Sequence, residues 1–218
     1  MTLANGAWLL LAICLPAAAA TVGGDLSDQN GAPVVNAVIS LRPLSGSPPI
    51  AKPPAAVELD QRNREFIPHV LVAPLGAAVN FPNHDHILHH VYSFSPAKRF
   101  ELKLYKDVTP PPVVFDQAGV AVLGCNIHDW MVAYVYVSDT PYYAQSDASG
   151  HWSIAAPAGA YRLNIWHPYL AGAPLAADVV AGDAQAAPLR FSLDLKTRAA
   201  TGKPPDSLQF GEGYNGEP

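Results

Sequence analysis

Cys125, His128 and Met131 stand three residues apart in the run Cys125-Asn126-Ile127-His128-Asp129-Trp130-Met131. If that run is a tight loop, one metal ion can take a thiolate, an imidazole and a thioether from it. With a second imidazole these donors make the ligand set of a blue-copper electron-transfer site. The chain offers one upstream within residues 83–91, at His89 or His90. His89 and His90 are adjacent, so in a strand they point to opposite faces and only one of them ligates. Plainer roles compete for each residue. A buried cysteine behaves as a small hydrophobe, a methionine before a strand often packs in a core, and a loop histidine can simply face water.

The cysteine count favours ligation. Residues 1–20 read as an export signal: Ala7 to Leu15 is apolar but too short to span a bilayer, and Ala18-Ala19-Ala20 offers a small-residue cleavage site. Cys14 leaves with that segment, and Cys125 remains as a lone exported thiol. A disulfide within the mature chain is then impossible, and a metal is the simplest occupant of the thiol. No later stretch has the length and apolarity of a membrane span. The expected location is periplasmic or secreted.

Composition limits the rest. The chain has 218 residues, a formal net charge of −5, 14% charged residues, 22 prolines and 16 glycines. That is an all-β composition with many turns. It carries no basic run and no phosphate-binding glycine motif, so nucleic acid is not an expected partner.

The elements that must position these residues read as short strands. Residues 21–44 alternate apolar and polar around a turn at Asp28–Pro33 and suggest a hairpin. Residues 43–54 are rich in Pro, Gly and Ser and read as a linker. Strand-like runs follow at 66–72, 77–81, 91–94, 99–104 and 113–115. Val120–Leu123 leads into Cys125, and Val132–Val137 leaves Met131. Further strands are expected at 151–155, 161–166, 176–180 and 189–195, with a polar tail at 197–218.

The segment holding Phe66, Pro68, Gly76, Val79, Phe81 and Asn83, then His89, Gly119 and the Cys125-x2-His128-x2-Met131 loop, resembles the cupredoxins of the amicyanin and plastocyanin type. The resemblance implies a Greek-key β-sandwich over residues 55–138 and one type 1 copper ion on His89, Cys125, His128 and Met131. Two positions differ from the family pattern: His90 stands where an asparagine usually braces the cysteine loop, and Ala121 and Leu123 replace aromatic residues before the cysteine. By the same resemblance such changes move potential and spectrum, and the His90 ring is a candidate for the missing brace.

The flanks resemble a carboxypeptidase-regulatory-like, or carbohydrate-binding-like, β-sandwich. The likeness rests on Gly24 through Leu41, on Asp147, Gly150 and Trp152, and on Pro157, Gly159, Tyr161 and Leu163. It implies a second small sandwich in two parts, 21–47 and 139–196, with the cupredoxin-like unit inserted, as in methylamine-utilisation-type proteins. The expectation is an all-β periplasmic carrier of single electrons, not an enzyme, that meets a cytochrome or dehydrogenase as redox partner. Two alternatives are a copper-handling protein and a glycan- or partner-binding module. His69, His84 and His86 could form a second metal site but read as loop residues. Trp130 reads as packing beside the site and His167 as structural or as a contact between units. Tyr142, Tyr143, Trp152 and Trp166 read as core aromatics that could alternatively line a sugar surface.

Overall fold

The computed structural model describes residues 19–49, 57–182 and 188–196. Most of the expected export signal, part of the linker and the tail from 197 lie outside the described residues. The strands in chain order are β1 (Ala19–Asp28), β2 (Val38–Pro43), β3 (Val57–Glu58), β4 (Asp60–Arg62), β5 (Glu65–Ile67), β6 (Val70–Pro74), β7 (Ala77–Asn80), β8 (His89–Ser95), β9 (Lys98–Tyr105), β10 (Val113–Phe115), β11 (Gly119–Cys125), β12 (His128–Ser138), β13 (Tyr143–Gln145), β14 (His151–Pro157), β15 (Gly159–Trp166), β16 (Leu175–Ala181) and β17 (Leu189–Leu193). No helix occurs among the described residues. The all-β expectation is borne out, in the form of two β-sandwiches.

The first sandwich lies within residues 57–138. Its larger sheet has the order β6-β12-β11-β8-β9, and β10-β7-β3 faces it. Side chains alternate across a strand, and the sequence uses that alternation: Ala121, Leu123 and Cys125 of β11 point inward, as do Met131, Ala133, Val135 and Val137 of β12. They pack with Phe66, Phe81, Val91 and Phe115 in one apolar core.

The second sandwich takes strands from both ends of the described chain. Its sheets are β14-β1-β17 and β13-β2-β15-β16. Leu26, Ile39, Leu41, Trp152, Leu163 and Ile165 fill its core. Ala19 and Ala20, at the end of the expected export signal, pair in β1 with Pro157 and Ala156.

The hairpin expected over residues 21–44 does not form. β1 pairs with β14 and β17, whereas β2 pairs with β13 and β15. The turn at 28–33 is present, with Asp28 Oδ1 accepting from the N–H groups of Asn30 and Ala32. The chain then crosses to the opposite sheet through Asn36, whose φ is +62°. Leu26 and Ile39 thereby meet across the core instead of lying side by side.

The sandwiches meet on the outer face of β12. The Trp166 ring lies 5.8 Å from Tyr134 and 5.6 Å from Tyr136. Gln145 Nε2 donates to Val70 O at 3.1 Å, and the Ser40 and Tyr136 hydroxyls lie 3.5 Å apart. Trp152 is 2% exposed. Trp152 and Trp166 are therefore taken up in packing and form no open aromatic platform.

Candidate metal centre

β11 and β12 form a hairpin around Asn126 and Ile127, with Cys125 opposite His128. A register shift between Gly124 and Cys125 accommodates this short connection. The segment is tighter than a free loop: Cys125 ends one strand, and both His128 and Met131 already belong to the next. Cys125 also pairs with Val91 of β8, which brings His89 alongside.

Three donors converge there. Cys125 Sγ lies 3.8 Å from His89 Nδ1 and 3.7 Å from His128 Nδ1, and all three atoms lie within 4.8 Å of one another. Metal–nitrogen and metal–sulfur bonds of about 2.0–2.3 Å put two donors of one ion roughly 3.5–3.8 Å apart. The spacing therefore fits a single ion, and a thiolate with two imidazoles fits copper or zinc. His89 is fully buried, Cys125 is 3% exposed, and His128 is half-buried.

The electrostatics fit metal binding as well. Burial alone would raise the Cys125 thiol. The His128 and His89 rings and the backbone N–H groups of His90 and Ile127 outweigh it and bring the thiol down to about 5. Burial likewise opposes a charged His89, but the Cys125 sulfur and the Asp85 carboxylate raise that imidazole above its ordinary value. Both shifts act the same way, toward a thiolate beside a charged imidazole. A thiolate is the form that ligates.

The remaining expected residues fall as follows. Met131 is 1% exposed and belongs to the same core as Cys125, on the inward face of β12. His90 points the other way, with Nε2 3.0 Å from Glu101. Its ring does not brace the cysteine; its backbone N–H does. Trp130 packs at a ring distance of 5.1 Å from His128 and donates from Nε1 to Arg64 O at 3.1 Å. His84 pairs with Asp60 at 2.6 Å, and His86 is exposed. His69 Nδ1 donates to Val132 O and its Nε2 meets the Tyr169 hydroxyl, both at 3.0 Å, which places it between the two sandwiches. His167, 8% exposed, packs against Tyr169. Among the described residues His89, Cys125 and His128 are the one cluster of such donors.

Sequence reading missed Asp85. Its Oδ2 lies 2.8 Å from His89 Nε2. Burial opposes its charge, yet the Arg64 N–H, the His89 ring and the Asn63 N–H hold the carboxyl below the usual carboxylate range. The signal was present: a carboxylate four residues before a candidate histidine ligand, since ligating histidines usually donate their second N–H.

No protein-family model matches the sequence, and no curated relative does. Among solved structures, an oxidised amicyanin variant is 22% identical over 38% of this chain and 82% of its own, with a TM-score of 0.35. A reduced Cu(I) amicyanin variant is 19% identical over 46% of this chain and 98% of its own, also at 0.35. A copper-containing nitrite reductase from Thermus scotoductus SA-01 is 21% identical over 45% of this chain, with a TM-score of 0.37. This chain spans only 25% of that enzyme.

Proposed function

We propose that this chain is a periplasmic type 1 copper protein that carries single electrons, with His89, Cys125 and His128 as strong ligands and Met131 as a weak axial one. The observation that carries the reading is the convergence of Cys125 Sγ with the two Nδ1 atoms at 3.7–3.8 Å. Copper, when bound, supplies a one-electron couple between Cu(I) and Cu(II). The protein's part is to keep the donors still. Cys125 and His128 close a strand hairpin, and His89 begins the paired strand next to it. The backbone N–H groups of His90 and Ile127 hold the sulfur from the protein side.

The exit for the electron is the half-buried edge of His128. Exposed Ile127 precedes it, and exposed Ile87 and Leu88 lead into His89. These side chains give a redox partner, such as a cytochrome or dehydrogenase, an apolar surface next to the ligand. The same burial supports carrying electrons over handing on copper. Delivery requires a recipient to reach the donors, and Cys125 and His89 are closed off. We further infer that the two-part sandwich, 21–47 with 139–196, is a scaffold around the copper-binding unit at 55–138.

The test is an optical spectrum of the full chain after one equivalent of Cu(II), repeated on Cys125→Ser. The expected result is a strong visible thiolate-to-copper band that the substitution abolishes. Stoichiometric copper binding with no such band would sink the type 1 reading and leave copper handling. Unchanged binding in Cys125→Ser would move the metal elsewhere.

A further inference from the structure

The turn between β4 and β5 reaches both imidazoles of the metal centre. Asn63 and Arg64 both have positive φ, +54° and +57°, so two successive backbone N–H groups point the same way. They donate to the Asp85 carboxylate, Asn63 to Oδ1 at 2.6 Å and Arg64 to Oδ2 at 2.8 Å. The Arg64 carbonyl accepts from Trp130, whose ring packs on His128. Asp85 is fixed from its other side too: its own N–H donates to Asn83 Oδ1 at 2.9 Å, and Asn83 Nδ2 donates to Ile87 O and Tyr105 O.

This leaves Asp85 Oδ2 aimed at His89 Nε2 at 2.8 Å, with the Asp85 side chain 11% exposed and that of His89 fully buried. A carboxylate only accepts, so the proton of a neutral His89 sits on Nε2. The lone pair then sits on Nδ1, the atom that faces Cys125. The proton that the ring gives up to a metal is therefore the one on Nδ1, and a carboxylate on the far nitrogen makes the imidazole a stronger donor.

We propose that Asp85 is a positioning residue for the metal: it fixes His89 with Nδ1 toward the ion, strengthens that donor, and so favours Cu(II) and lowers the reduction potential. The inference rests on the copper reading above. A stronger, more basic nitrogen donor stabilises the more highly charged ion more than Cu(I), which sets the sign. The Asn63–Arg64 turn is the support that keeps the carboxylate in place.

The experiment is Asp85→Asn in the full chain, with Cu(II) affinity, midpoint potential and the melting temperature of the metal-free form read together. The amide can still accept from Nε2 but carries no charge. Loss of such a partner weakens metal binding by about 10–100-fold. Each tenfold loss of Cu(II) over Cu(I) affinity raises a one-electron potential by about 59 mV. The expected result is weaker Cu(II) binding with a raised potential. Unchanged affinity and potential with a lowered melting temperature would overturn the proposal and leave Asp85 as a tie for the turn alone. If the variant does not fold, nitrogen-detected NMR of the wild-type Cu(I) form decides: a slowly exchanging proton on His89 Nε2 is expected, and an unprotonated Nε2 overturns the idea. A wild-type protein with no thiolate-to-copper band would instead bring down the copper reading, and this inference with it.

Discussion

The backbone N–H of His90 reaches the sulfur of Cys125, while the His90 imidazole turns away and meets Glu101 at 3.0 Å. The two parts of one residue thus serve opposite faces of the sheet. The part that braces the thiolate is common to every residue except proline. His90→Gln should therefore leave the thiolate-to-copper band and the reduction potential where they are. The loss of a partly exposed side-chain contact of this kind costs about 0–1 kcal/mol. Absorption and potentiometry on the copper-loaded variant check this, and a displaced band would show that the ring matters after all.

The thiolate–imidazolium pair gives the metal-free protein a pH signature. The Cys125 thiol falls from 9.0 to about 5 on folding. A depressed group contributes stability that is complete above its unfolded value and is lost as pH falls through the folded one. His89 is raised from 6.5, so its contribution is complete below that value and is lost as pH rises through the folded one. Of this pair only the thiolate term changes between about pH 5 and 6.5, and it should add at most about 1.4 kcal/mol of stability per pH unit. Above that the two slopes oppose each other and the curve flattens. Denaturant titrations of wild type and Cys125→Ser isolate the effect as a difference. A difference that stays flat over the lower range would mean that the thiol is not depressed.

The candidate donor run was legible because its information is local. Cys125, His128 and Met131 lie within seven residues, and strand alternation puts His89 and His90 on opposite faces, although it does not say which of them faces the cysteine. The core of β12 was legible for the same reason, since inward Ala133, Val135 and Val137 alternate with outward Tyr134 and Tyr136. What stayed hidden depends on pairing across sequence distance. Leu26 and Ile39 look like hairpin partners in sequence but belong to opposite sheets. The Asn63–Arg64 turn gives no motif, because two non-glycine residues at positive φ are held there by a carboxylate some twenty residues later. The outward tyrosines of β12 gave no hint that Trp166 covers them.

That cover makes a prediction about cooperativity. Trp166 ends β15 of the second sandwich yet packs on Tyr134 and Tyr136 of the first. Truncating a fully buried tryptophan costs about 3–5 kcal/mol, and a half-buried one less, about 1–3 kcal/mol. Trp166→Ala should weaken the joint more than either core. Scanning calorimetry is expected to resolve two transitions in the variant where the wild type shows one. A single transition at an unchanged temperature would place the coupling in other contacts, such as Gln145 with Val70 O or His69 with Tyr169.

Met131 can serve two purposes, and one substitution separates them. Its side chain is 1% exposed in the core that also holds Cys125, Leu123 and Val135, so packing alone would justify a methionine there. Met131→Leu nearly conserves volume and should cost less than about 1.5 kcal/mol. It removes the sulfur, however, and the axial ligand is one of the levers on a type 1 potential. Loss of a thioether donor leaves Cu(II) less stabilised relative to Cu(I), so the potential should rise and the visible band should shift, with the melting temperature of the metal-free form almost unmoved. Potentiometry and absorption on one sample, with melting on another, read both effects. An unchanged spectrum and potential in a well-folded variant would reduce Met131 to a core residue and the metal set to His89, Cys125 and His128, the three whose donor atoms already converge.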